Sequence, residues 1–208
     1  MITRHLSSCC LAAITLVTLV ALAPWFSRSH SPVLESAALA QGAPAPDRPQ
    51  YRGAQLIRPE NYREWIYLSS GIGMEYNAST SDRENFTNVF VSPWAYHEFL
   101  ASGKWPDKSM FALEVRASQT HGSINKSGHF QTDIAGFSVE VKDETKFPDE
   151  WAYFSFRGDA KTAQPMTGPQ DQCWQCHNEK GAVEHTFVQF YPTLKPIAIK
   201  FGTYRNTE

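Results

Sequence analysis

The feature that most restricts how this 208-residue chain can fold is the run Cys173-Trp174-Gln175-Cys176-His177. Two thiols at this spacing can each add to a vinyl group of a haem, and the histidine that follows is then placed to ligate the iron from one side. We therefore predict one covalently bound haem c, with Cys173 and Cys176 as the thioether residues and His177 as the proximal iron ligand.

Two other roles for a pair of cysteines at this spacing fit the sequence less well. A zinc site needs further ligands at a second knuckle, and Cys9 and Cys10, the other cysteines, lie in the export segment described below. A thioredoxin-like redox pair follows a hydrophobic strand, whereas residues 168–172 have the loop sequence Gly-Pro-Gln-Asp-Gln. A disulfide across so short a loop would restrain the unfolded chain little. The pattern therefore favours haem attachment.

The first 40 residues have the features of a secretory signal peptide. Arg4 precedes an apolar run over residues 11–22, and Ala38-Leu39-Ala40 supplies the small residues that a signal peptidase requires. We expect cleavage after Ala40 and an exported, periplasmic protein. An uncleaved N-terminal membrane anchor is the alternative, but the apolar run is shorter than the roughly 20 residues of a spanning helix, and Pro24 ends it.

The remaining chain has the size of one domain and the charge of a protein that does not bind nucleic acid. Removal of residues 1–40 leaves 17 basic and 20 acidic residues, a net charge of about −3, which offers no basic surface to a polyanion. Residues 41–58 are rich in Pro, Gly, Ala and Gln, which indicates a flexible lead-in. Residues 59–208 are long enough for one sizeable core.

The alternation of apolar and polar residues predicts an α+β fold, mainly an antiparallel sheet with a few helices packed on one side and the haem pocket on the sheet. The segments that we predict as strands are 88–92, 109–115, 137–141, 151–156, 186–191 and 196–202. Helices are predicted over residues 60–68, after Pro59, and from Pro93 to Gly103.

The position of the motif indicates how the haem pocket is completed. Only 31 residues follow His177, so the residues opposite the proximal ligand precede the motif. Met74, Met110 and Met166 are candidates for a sixth iron ligand, with Met110 better explained as a packed strand residue. A simple electron-transfer cytochrome needs a strong sixth ligand, which the sequence does not display.

Several short segments recur in an order and spacing that resemble the cytochrome P-460 and cytochrome c′-beta family. They are Asn-Tyr-Arg-Glu-Trp at 61–65, Asn-Val-Phe-Val-Ser-Pro at 88–93, Gly-Lys-Trp-Pro-Asp at 103–107, Val-Lys-Asp at 141–143, Trp-Ala-Tyr-Phe-Ser-Phe at 151–156, the haem motif, and Phe-Val-Gln-Phe-Tyr-Pro at 187–192. The resemblance runs from about Pro59 to Leu194. It implies a mostly antiparallel sheet, commonly a homodimer, with a haem that is open on its distal side.

The resemblance also distinguishes two kinds of protein. Cytochrome P-460 proteins oxidise hydroxylamine and have a lysine bonded to the haem edge. Cytochrome c′-beta proteins lack that bond, have an apolar distal pocket and bind nitric oxide or carbon monoxide. The cross-linking lysine directly precedes a glutamate that corresponds to Glu114, and here that position is Leu113. The resemblance therefore implies the c′-beta kind.

Three apolar residues are our candidates for the distal pocket. Strand alternation places Phe111 on the same face as Leu113, and the resemblance places Phe86 near a distal phenylalanine. An apolar wall cannot accept a proton, so it favours nitric oxide or carbon monoxide over hydroxylamine, whose oxidation needs a general base.

The rival hypothesis is an oxidoreductase that turns over hydroxylamine or nitric oxide. The acidic residues that could serve it as a base are Asp143, Glu114 and Asp171. A simple electron-transfer cytochrome is the third hypothesis, and the sequence does not identify a redox partner.

Overall fold

The computed structural model describes residues 47–74 and 84–207; the predicted signal peptide lies outside these ranges. Within them the chain forms a five-stranded and a three-stranded sheet, both antiparallel, together with helices. The predicted α+β fold is therefore confirmed. No helix in the described ranges combines the length and the apolar composition needed to cross a bilayer.

The larger sheet is a meander in which each strand pairs with the next one along the chain. Its strands are β3 (Ile66–Ile72), β4 (Asn85–Val91), β5 (Met110–Gln119), β6 (Phe130–Lys142) and β7 (Trp151–Phe156). The strands predicted around residues 88–92, 109–115, 137–141 and 151–156 are all present. β5 and β6 are longer than predicted because they continue together as a hairpin beyond irregularities near Arg116.

Both faces of this sheet are covered. On one face Ala112, Val139 and Phe154 pack with Leu56, which belongs to the smaller sheet. The strands of the smaller sheet are β1 (Tyr51–Arg52), β2 (Gln55–Ile57) and β8 (Thr162–Ala163). On the opposite face Phe111 packs with residues of the helices α1 (Pro93–Ser102) and α3 (Lys195–Phe201). Polar residues of β6 on this second face, such as Glu140 and Lys142, are consequently buried.

Helix α1 has the boundaries that its sequence predicts. Pro93 occupies its first turn, where a missing amide costs nothing. Gly103 ends it in the left-handed conformation, with φ of 69°, and its amide donates a hydrogen bond to the carbonyl of Phe99. A β-carbon at position 103 would also lie 2.6 Å from Cβ of Phe201, so glycine meets both requirements.

The predictions for the start of the described chain differ from the structure. One turn of 3-10 helix, Tyr62–Glu64, replaces the helix predicted over residues 60–68, and the chain then enters β3 at Ile66. The aromatic and aliphatic residues there pair with β4, and this tertiary pairing overrides their helical spacing. Residues 41–58 are predicted to be a flexible lead-in, but part of this range forms β1 and β2. Leu56 of β2 is fully buried.

The two strands predicted near the C-terminus are wrong. Residues Val188–Phe190 form a 3-10 turn, and α3 occupies most of the segment 196–202. The alternation of Ile197, Ile199 and Phe201 fits a strand. In the structure, however, Pro196 lies in the first turn of α3, and the buried residue is Ala198.

Glu114 anchors a polar cluster on the face of β5 opposite to Leu113. It is only 3% exposed, and it accepts hydrogen bonds from Arg63, Arg116 and the hydroxyl of Tyr62. Burial disfavours its charged form, but these hydrogen bonds outweigh burial and lower the pKa of Glu114 to about 2. Glu114 is therefore a buried structural carboxylate.

We expect Glu114→Gln to lower the free energy of unfolding at pH 7 by roughly 2 kcal/mol, the typical loss of hydrogen bonds to a charged group. Because the folded-state pKa lies below the ordinary value of 4.5, the carboxylate stabilises the fold above about pH 4.5, and this contribution disappears as the pH falls towards 2. Urea denaturation of both proteins at several pH values measures the difference.

The matched control is Glu60→Gln, because the Glu60 carboxylate is exposed and pairs with the exposed Lys161. We expect this variant to unfold like the unmodified protein. A difference between Glu114→Gln and the unmodified protein that is as large at pH 3 as at pH 7 would contradict the role given to the Glu114 carboxylate.

Candidate functional site

The Cys-x-x-Cys-His motif lies in the first turns of helix α2, Gln172–Lys180. Asp171 caps this helix, because Oδ1 of its side chain accepts hydrogen bonds from the amides of Cys173 (2.8 Å) and Trp174 (3.3 Å). Residues three and four apart share a helix face, so both thiols and His177 project to the same side of α2. Asp171, a candidate proton acceptor from the sequence, thus has a structural role.

A cavity of about 660 Å³ lies between α2 and the larger sheet. This volume is within the range of cofactor pockets, roughly 300 to 1,000 Å³. The α2 side contributes the motif residues Cys173, Cys176 and His177. The residues that the sheet contributes are Val89, Phe111, Leu113, Ser138, Val139, Glu140, Tyr153 and Ser155.

The part of the wall formed by β4 and β5 is apolar. Leu113 pairs with Val89 of β4, and both line the cavity with Phe111. Phe86 faces the other side of the sheet. It is three residues before Val89 on a strand with continuous register, and an odd spacing reverses the direction of a side chain. The structure therefore brings Phe111 and Leu113 to the cavity but corrects the placement of Phe86.

The part of the wall formed by β6 and β7 is polar, and none of its residues was predicted. Ser138 and Glu140 of β6 lie beside Tyr153 and Ser155 of β7. Burial, and then the charge of Glu140, raises the pKa of Tyr153, so its hydroxyl stays protonated. The sequence pattern that could have identified this wall is the alternation in β6, which puts Ser138 and Glu140 on one face of the strand. The alternation alone does not show that other residues cover this face.

His177 is held by a hydrogen bond at Nδ1 and by two neighbouring aromatic rings. Its Nδ1 atom lies 2.7 Å from the carbonyl oxygen of His185, to which it donates, and this leaves Nε2 as the nitrogen for a metal ligand bond. The rings of Tyr153 and Phe187 lie 4.5 Å and 4.4 Å from the imidazole, measured between centroids. Burial lowers the pKa of His177, but Glu140 and the His185 carbonyl outweigh it, so the net shift is upward.

His185 supports this arrangement as a neutral side chain. Burial and the nearby His177 lower its pKa to about 4. Its ring stacks on Trp151 at 5.8 Å between centroids, and its Nδ1 atom lies 3.2 Å from the Tyr153 hydroxyl. The segment that carries the carbonyl acceptor for His177 is therefore itself anchored to β7.

The other residues proposed from the sequence lie apart from the cavity, with one exception. Asp143 is buried in contact with Lys108, Thr145 and Tyr51. Glu114 and Met110 face the opposite side of the sheet, because they alternate with Leu113 and Phe111 along β5. The exception is Met166, which lines the cavity beside Tyr153.

The donor set fits a covalently attached haem better than a thiolate metal site or a redox pair. Neither thiol forms a disulfide. Burial and Asp171 raise the pKa of Cys173, and burial and Glu179 raise the pKa of Cys176. Thioredoxin-like redox cysteines have the opposite shift, a lowered pKa. Two free thiols on one face of α2, an imidazole with its Nδ1 engaged, and a cavity of cofactor size fit attachment to the vinyl groups of a haem.

Comparison with known families agrees with this chemistry. The family model described as Cytochrome P460 matches residues 59–188, a span that includes the larger sheet and the Cys-x-x-Cys-His motif. A search of curated proteins found no match to the chain.

Proposed function

Because the chain belongs to the cytochrome P460 family and is therefore a haem cytochrome, we propose that it carries a single haem c, attached through Cys173 and Cys176 and ligated by His177. When bound, the haem supplies an iron with an open position, at which we propose that nitric oxide or a similar small neutral ligand binds. Export after cleavage at Ala40 and assembly as a homodimer belong to the same proposal and rest on the sequence.

The apolar wall of Val89, Phe111 and Leu113 is the observation that carries the choice of ligand. Leu113 directly precedes the buried Glu114. It therefore occupies the position of the cross-linking lysine in the hydroxylamine-oxidising proteins that the sequence resembles. The register turns this side chain towards the cavity, where a lysine amine would approach the edge of a bound macrocycle. An alkyl side chain offers no nucleophile, and its surroundings favour a neutral ligand over a polar one.

The positions of the acidic residues support the same choice. Asp143 and Glu114 are held in buried polar clusters, and Asp171 caps α2. Glu140 does line the cavity, but its carboxylate lies beside Nδ1 of His177. The nitrogen proposed to ligate the iron is the other one, Nε2. A general base for hydroxylamine has to stand on the other side of the iron, near the substrate.

The proposal predicts that Leu113→Ala speeds the association of carbon monoxide with the ferrous protein several-fold, because truncation widens the apolar wall. Flash photolysis of the carbon monoxide complex measures the rate. The matched control is Leu100→Ala, the same truncation at a residue of α1 that packs on the apolar core containing Phe111 and does not line the cavity. Equal rates in the two variants would remove Leu113 from the ligand's path.

Hydroxylamine oxidation distinguishes the proposed function from the enzyme hypothesis. Steady-state assays with an artificial electron acceptor should give no turnover above that of haem c alone. Brisk turnover that depends on the protein would instead favour the oxidoreductase.

A further inference from the structure

Glu140 brings a buried carboxylate to the ring of His177. One of its oxygens, Oε1, lies 3.3 Å from Nδ1 of His177, and the residue is only 9% exposed. Among the described residues, this oxygen has no hydrogen-bond partner. Leaving a buried polar group unsatisfied is unfavourable, so the placement calls for a functional explanation.

The sheet fixes where this carboxylate points. Glu140 is directly opposite Phe111 on β5 and Tyr153 on β7, and all three side chains line the cavity. The two aromatic rings flank the carboxylate and keep it in an environment of low dielectric. A contact between a carboxylate and an N–H group is stronger in such surroundings than in water.

A carbonyl acceptor and a carboxylate therefore converge on one ring nitrogen. The carbonyl of His185 lies 2.7 Å from Nδ1 of His177 and sets the orientation of the ring. The Glu140 carboxylate adds a full negative charge at the same nitrogen. Metal-ligating histidines commonly donate their other ring N–H to a carboxylate or a carbonyl, which fixes the ring and raises the basicity of the ligand. Here the carbonyl accepts the hydrogen bond, and the carboxylate lies 3.3 Å from the same nitrogen, where its charge acts on the N–H group.

We propose that Glu140 is a positioning residue for the proximal ligand: its carboxylate, together with the His185 carbonyl, polarises the Nδ1–H bond of His177 and strengthens electron donation from Nε2 to the haem iron. This inference rests on ligation by His177, which is part of the proposed function. A stronger donor stabilises ferric relative to ferrous iron and therefore lowers the reduction potential.

The test is Glu140→Gln, which keeps the shape of the side chain and removes its charge. We expect the midpoint potential of the holoprotein to move to a more positive value and the iron–histidine stretching frequency of the ferrous protein to fall. Glu140→Asp, which retains the charge at a longer distance, should give intermediate values. Glu60→Gln removes an exposed charge and should leave both quantities unchanged.

Three outcomes would overturn the inference. In the first, Glu140→Gln has the potential and the stretching frequency of the unmodified holoprotein. In the second, Glu140→Gln does not retain haem, and the unmodified ferrous protein has a frequency no higher than ferrous haem with neutral imidazole. In the third, no iron–histidine band is present. That result would also refute ligation by His177, so failure of the proposed function is distinguishable from failure of the Glu140 role alone.

Discussion

Replacing Cys173 and Cys176 together with alanine is expected to abolish covalent haem attachment. Both thiols project from one face of α2 towards the cavity, and in the predicted mature chain there is no further cysteine. Intact-mass measurement after acid–acetone extraction should show the mass of the polypeptide alone. Each single variant should retain at most one thioether.

The matched control for this experiment is Asn178→Ala, next to His177 on the same helix but not on the cavity wall. It should retain a single haem through the same extraction. Haem mass on the double cysteine variant would contradict attachment through the motif and would point to another nucleophile, such as a lysine.

Replacing Trp105 with alanine is expected to lower the free energy of unfolding by roughly 4 kcal/mol, as for other large aromatic residues removed from a core. Trp105 is 2% exposed, and its ring centroid lies 4.0 Å from that of Phe99 and 4.6 Å from that of Phe111. Its Nε1 donates a hydrogen bond to Thr186, one residue after His185. The residue thus supports the apolar wall and the segment that orients His177.

Urea denaturation of the holoprotein measures this loss. Ile199→Ala on α3 is the control, because that side chain is 56% exposed and surface substitutions usually change stability by less than about 0.5 kcal/mol. Similar losses in the two variants would show that Trp105 does not carry the packing assigned to it.

The sequence identifies those parts of the site that depend on local spacing. The i, i+3 and i, i+4 relations of Cys173, Cys176 and His177 follow from the motif itself. The orientation of Leu113 follows from alternation along one strand, since Phe111 and Leu113 differ by two residues. For the same reason, the alternation of apolar and polar residues predicts strands at the positions of β4, β5, β6 and β7.

The parts that the sequence does not identify depend on pairing between distant segments. Only the resemblance places Phe86 in the pocket, and a one-residue difference in register reverses a side chain. Alternation along residues 137–141 puts Glu140 on a polar face, but it does not show that α2 and the residues after it cover that face. The apolar pattern of residues 196–202 fits a strand or a helix, and packing of Ala198 on the core selects the helix.

The absorption spectrum of the reduced protein, recorded before and after addition of nitric oxide, tests the proposed function most directly. We expect the Soret band of an ordinary five-coordinate haem c, without the red shift that accompanies a lysine cross-link, and a clear change on addition of nitric oxide. A strongly red-shifted band, or a six-coordinate low-spin spectrum that nitric oxide leaves unchanged, would contradict an open haem with Leu113 on its apolar wall.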